Sequence, residues 1–152
     1  AIGSLGPQAR GIMHPNLKTV LGYDALRAFN AIQFDFDAGI IRMVSTGTFI
    51  PNQKWLIAKS PIVEKEGVGL TVEGAVFGKS TPIVLDLAGG FHLTLPNSNA
   101  PYTRQLSIDN LVFRKVPTSS INGLPRVGYK LLDGLVVTIC PKEGFVYFEK
   151  PQ

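Results

Sequence analysis

Apolar residues in this chain recur mostly at every second position. Ile32, Phe34 and Phe36 alternate with Gln33, Asp35 and Asp37, and Val68, Leu70 and Val72 alternate with Gly69, Thr71 and Glu73. A period of two puts alternate side chains on opposite faces of an extended strand. The 16 glycines and 11 prolines cut these runs to strand length, so the pattern predicts an all-β chain with one or two short helices. The clearest helix covers Asp24 to Asn30, where Leu26 and Phe29 share a face and Asn30 suits a C-terminal cap. A hairpin follows over Ile32 to Val44, turning at Ala38-Gly39. A second hairpin runs from Val68 through Phe77 to Pro82–Asp86, with Gly74 or Gly78 at its turn. Further strands are expected at Phe91–Leu95 and over Leu106–Lys115, and Leu131–Gly134 is too short for more than one helical turn. The predicted core comprises Leu26, Phe29, Ile32, Val84, Leu85, Leu111, Val127, Leu132 and Val137.

One piece of pattern occurs twice. Leu21-Gly22-Tyr23-Asp24-Ala25-Leu26-Arg27-Ala28-Phe29 returns as Val127-Gly128-Tyr129-Lys130-Leu131-Leu132-Asp133-Gly134-Leu135, displaced by 106 residues. After each copy come an alternating strand, a turn at Gly39 or Gly144 and a second strand, with one residue fewer in the later copy. The doubling predicts two lobes: residues 1–50 as the rear part of a first, 51–61 as a linker, and 62–152 as a complete second. Upstream of the later copy lies Ile83-Val84-Leu85-Asp86-Leu87-Ala88-Gly89-Gly90, an apolar strand ending in a carboxylate and a glycine turn. Its counterpart would fall before Ala1. A partial lobe leaves an apolar edge exposed from Leu17 to Val44, so a covering partner is expected, either a separate N-terminal fragment of the same precursor or a second copy of the chain.

Charge and composition add mostly exclusions. The net charge of +4 comes from 15 basic and 11 acidic residues scattered along the chain. There is no basic run or aromatic-interleaved basic stripe, so no nucleic-acid partner is expected. No stretch approaches the ~18 apolar residues that would span a membrane, and Ala1-Ile2-Gly3-Ser4 has neither the basic start nor the hydrophobic core of a signal peptide. The compartment is left open. Cys140, the single cysteine, sits in the apolar run Val136–Pro141 and reads as a buried strand residue, with no disulfide partner or C-x-x-C site. His14 and His92 read as surface or satisfied core histidines, and no Ser/His/Asp or Cys/His set can be assembled. Asp35 and Asp37 read as a solvated face, so no metal or cofactor is expected. Ser45-Thr46-Gly47 reads as linker. Trp55, Tyr102 and Phe113 read as core, with a place in a lobe interface or a peptide groove as the alternative.

An apolar strand ending in Asp86 with a small-residue turn, an apolar-Gly pair before a short helix of the form Gly-x-x-x-Leu, and a hairpin like Phe34-Asp35-Phe36 with Gly39 together resemble the retropepsin and pepsin class of aspartic peptidases. The order of elements within residues 62–152 fits as well. The resemblance implies barrel-like lobes and an interlobe cleft that holds an extended peptide or protein substrate. It also implies that Asp86 is one catalytic carboxylate, that Leu87, Ala88 and Gly89 form the loop around it, that Gly22 and Gly128 brace such loops, and that Leu26 and Leu132 are core leucines. In that chemistry two carboxyls share one proton, one activating water while the other polarises the scissile carbonyl. The second carboxylate would have to come from another chain. The family's loop reads Asp-Thr-Gly or Asp-Ser-Gly, whereas here Leu87 lacks the hydroxyl that links the two loops and Ala88 adds a methyl. Two functions therefore stand side by side: a peptidase subunit, and a non-catalytic relative that binds peptides or proteins.

Overall fold

The computed structural model describes residues 2–3 and 20–151, with side chains for 22–103 and 105–151. The fold is nearly all-β. In order come β1 (Ile2–Gly3), β2 (Val20–Leu21), the single-turn helix α1 (Tyr23–Leu26), β3 (Ala31–Asp35), β4 (Ile40–Val44), β5 (Leu56–Pro61), β6 (Thr71–Val76) and β7 (Lys79–Asp86). These are followed by β8 (Leu93–Pro96), β9 (Tyr102–Ile108), β10 (Leu111–Ile121), β11 (Arg126–Gly128), a second one-turn helix α2 (Tyr129–Leu132), β12 (Val136–Cys140) and β13 (Phe145–Glu149).

Strands β10-β8-β11-β7-β6-β9 close a barrel, and β4-β3-β12-β13-β5 form a 5-stranded sheet. Alternation explains both layers. Val72, Ile83, Leu85, Leu93, Leu95, Leu106, Ile108, Val116 and Val127 fill the barrel, while Ile32, Val137, Ile139, Val146 and Phe148 form the sheet face that joins the same core. The opposite sheet face carries a smaller cluster of Ala31, Cys140 and Tyr147, against which Phe49 and Leu56 pack. Of the predicted core residues, Phe29 alone is only partly buried, packed at the edge of the main cluster.

Local turn chemistry sets the hairpins. The β6–β7 turn is Phe77-Gly78, both at positive φ (53° and 74°), the conformation that matches strand twist in a two-residue loop. Gly74 is not a turn residue. It lies within β6, where a Cβ would meet the Ile83 side chain and sit 2.8 Å from the Ser107 carbonyl oxygen. The expected single strand Leu106–Lys115 is instead two strands joined at Asp109-Asn110, since Leu111 pairs with Ile108 and Asp109 adopts φ 51°. Asp and Asn tolerate that left-handed conformation, and across the turn the inward positions step by three, from Leu106 and Ile108 to Leu111 and Phe113.

Two further expectations shift. The first helix is one turn, Tyr23–Leu26, rather than Asp24–Asn30. The N–H groups of Ala28 and Phe29 donate to carbonyls three residues back, which tightens and ends it, and the Asn30 N–H leaves for the Val44 carbonyl at 2.8 Å. Asn30 is thus no helix cap: its side chain donates to the Gly47 carbonyl at 2.6 Å and accepts from Lys142 Nζ at 2.6 Å. The latter half of the expected linker, Leu56–Pro61, is β5, paired with β13.

Candidate functional site

Asp86 is the last residue of β7, and its surroundings follow from how β11 is inserted. β11 lies between β7, which it meets in parallel, and β8, which it meets antiparallel. Val127 points into the barrel with 0% exposure, so Arg126 and Gly128, its neighbours in a strand, point out. Gly128 is paired with Asp86 and Arg126 with Val84, and these four residues share one outward patch.

The loop after Asp86 folds onto this patch through backbone hydrogen bonds. Gly89 N–H donates to the Asp86 carbonyl at 3.0 Å, Tyr129 N–H to the Gly89 carbonyl at 2.9 Å, and Gly128 N–H to the His92 carbonyl at 3.0 Å. Such close backbone approach needs glycine. A Cβ on Gly128 would collide with the Phe91 carbonyl oxygen and lie 2.6 Å from that of Gly89, and a Cβ on Gly89 would lie 2.9 Å from the Asp86 carboxyl carbon. Leu87 turns its side chain onto the core cluster, and Ala88 is exposed. Gly22 differs from Gly128: it precedes α1 in extended conformation, and among the described residues nothing lies within 4 Å of where its Cβ would be.

Asp86 opens into a groove of about 810 Å³ between the outward patch and the free end of the sheet. Phe34 and Phe36 stack in one wall with ring centroids 6.2 Å apart, and Ile41 and Met43 of β4 extend that wall. Tyr23 contributes from α1, and its phenol is pushed up by burial, with Arg27 opposing the rise. Among the described residues, the charged ones lining the groove are Asp35, Asp86, Asp133 and Arg126. The Asp35 carboxylate accepts the Ala38 N–H at 2.9 Å, so it caps the β3–β4 turn. Among the described residues no group of three or more His, Cys, Asp or Glu is placed to hold a metal ion.

The remaining candidates lie elsewhere. His14 is outside the described residues, and His92 serves through its backbone. Trp55 is half-buried beneath Lys54, whose Nζ is 4.8 Å from the ring centroid, and Phe113 packs against the core. Tyr102 is 60% exposed and is not core; none of the three lines the groove. Cys140 is buried and free, and burial, reinforced by Glu143 and Glu149, pushes its thiol up to about 12, so it stays protonated. Sequence reasoning missed Arg126, Tyr129 and Asp133 as groove residues. For Arg126 a signal existed, a cation in an otherwise apolar strand entry, Pro125-Arg126-Val127.

In comparisons with known proteins, no protein-family model matches the chain and no curated protein matches it.

Proposed function

We propose that this chain is an aspartic-peptidase-like protein that handles extended peptides in the groove beside Asp86. The observation that carries the reading is the pairing of Asp86 with Gly128, with the loop 87–91 locked over that glycine and the carboxylate opening into an apolar groove. A peptide laid there could add to the free edge of β4 by main-chain hydrogen bonds, leaving its side chains for the apolar walls.

The sheet supports a doubled origin and a second lobe. Its central pair β3–β12 matches Gln33 with Thr138, and Gln33 Nε2 donates to Thr138 Oγ1 at 3.2 Å across a separation of 105 residues. That separation is also the distance between the two turn glycines, Gly39 and Gly144. Under this equivalence the flanking pairs Ile32–Ile139 and Phe34–Val137 exchange, as around a local two-fold axis. On one side of the axis the barrel covers the sheet, whereas on the other Ile41 and Met43 are 57% and 46% exposed. A second lobe, from a separate N-terminal fragment of the same precursor or from another copy, would cover that side, bring a loop against Gly22 and supply the second carboxylate that a shared-proton dyad requires.

Digestion of a peptide library at mildly acidic pH tests the catalytic form: cleavage should be sensitive to pepstatin and fall by ~10²-fold or more in Asp86→Asn. The second reading, a non-catalytic peptide- or protein-binding relative, is favoured by Leu87, whose side chain is packed on the core where the family presents a hydroxyl. Peptide binding without cleavage, unchanged in Asp86→Asn, would establish it in place of the first.

A further inference from the structure

Two buried side-chain polar atoms lack a hydrogen-bond partner among the described residues, Arg126 Nε and Thr94 Oγ1. They belong to residues directly opposite each other on β11 and β8, so both side chains stand on the outward face of the barrel. Coincidence of two such atoms at one place calls for an explanation, because buried polar groups are otherwise almost always paired. The described residues make no use of the Arg126 charge: none of them forms an ion pair or hydrogen bond with it, and its other cross-strand neighbour is Val84. An apolar side chain would suit this position better, so the guanidinium is placed for something outside the fold.

We propose that Arg126 selects ligands carrying a carboxylate, which it receives in the groove beside Asp86. The inference rests on the peptide-handling reading and refines it, naming an acidic peptide as the preferred ligand. Arginine presents several N–H donors in a planar fork that fits a carboxylate, and among the described residues it is the single cation lining a mostly apolar groove. The groove's own acids restrict where the ligand's negative group can lie. Asp35 is committed to its turn, and Asp86 and Asp133 repel a second carboxylate placed beside them. Arg126 pairs with Val84, two residues before Asp86 on β7, so the bound carboxylate sits roughly 6–7 Å along the strand from Asp86. The carboxylate can come from an acidic side chain or from the C-terminus of a peptide.

Fluorescence anisotropy with three labelled octapeptide pools distinguishes these sources: central Glu with an amidated end, central Gln with an amidated end, and central Gln with a free C-terminal carboxylate. On the wild-type chain one carboxylate pool should bind about tenfold more tightly than the neutral pool, the size of a charge-assisted hydrogen bond. The pool that gains identifies the source. In Arg126→Leu and Arg126→Gln the preference should fall within about twofold while the neutral pool binds as before, and Arg126→Lys should keep part of it. A thermal melt of each variant checks the fold. Equal binding of all three pools by the wild type, or a preference that survives Arg126→Leu and Arg126→Gln, overturns this inference and leaves the peptide-handling reading intact. Failure of every pool to bind overturns both.

Discussion

At the scale of single residues, two glycines with the same sequence neighbourhood experience different surroundings. Gly128 is pressed by the carbonyls of Gly89 and Phe91, so Gly128→Ala should cost about 1–3 kcal/mol, as overpacking does. Gly22→Ala meets open space and loses only a little at a helix N-terminus, no more than about 1 kcal/mol. Urea titrations of the two variants measure the contrast, and equal losses would mean that the loop can yield. Glu149 offers a test by pH. Its carboxyl is buried and accepts the Asn52 N–H at 2.9 Å; burial raises its pKa, and the hydrogen bond opposes the rise. A raised folded-state pKa means that the folded chain takes up the proton more readily than the unfolded one. The stability this provides is complete below the ordinary glutamate value of 4.5 and is lost as pH rises through the folded value. Glu149→Gln, which cannot ionise, should therefore gain on the wild type at neutral pH, and the gap should close on acidification. Melting curves from neutral to acidic pH follow the gap, and one that widens toward acid would contradict the assignment.

Among the elements, β4 is the anomaly. Among the described residues it is an edge strand in which Ile40, Ile41, Met43 and Val44 are all at least 43% exposed. Soluble proteins normally blunt such edges with charge, proline or a cover, because the unpaired N–H and C=O groups invite another strand. Here Arg42 is the one charge in the strand, and it is tied to Gln33 Oε1 at 2.9 Å. The chain should therefore associate through β4, with a second lobe or with itself. Ile41→Lys with Met43→Lys should reduce that association and cost the fold little, about 0.5 kcal/mol per substitution at half-exposed sites. Sedimentation velocity reads the first effect and a thermal melt the second. A wild-type chain that remains monomeric at high concentration, with no second polypeptide, would contradict the expectation. The same strand illustrates what was legible: alternation and Gly39 indicated the hairpin, and the exposed apolar edge was expected from the partial lobe. The turn at Asp109-Asn110 also marks the sequence: the step of three from Ile108 to Leu111 breaks the period of two, because a two-residue turn shifts the phase of the inward positions.

For the molecule as a whole, one core joins barrel and sheet. Leu26 and Leu132, from the two similar segments and 8% and 0% exposed, meet in it together with Ile83, Leu106 and Phe148. The groove is what remains where the sheet extends beyond the barrel, so its shape depends on a contact between distant parts of the chain. Periodicity, turn residues and the doubled segment determined by themselves the all-β class, the burial of every expected core residue but Phe29, the place of Asp86 at a strand end and the burial of Cys140, because each depends on the local alternation of side chains or the backbone freedom of glycine. Tertiary structure alone decided that β11 runs between β7 and β8, that Gly128 rather than Gly22 is pressed by a loop, and that Arg126 shares a face with Asp86. Those facts depend on register between strands far apart in the chain, and side-chain alternation indicates which face a residue takes on its own strand but not which strand lies beside it.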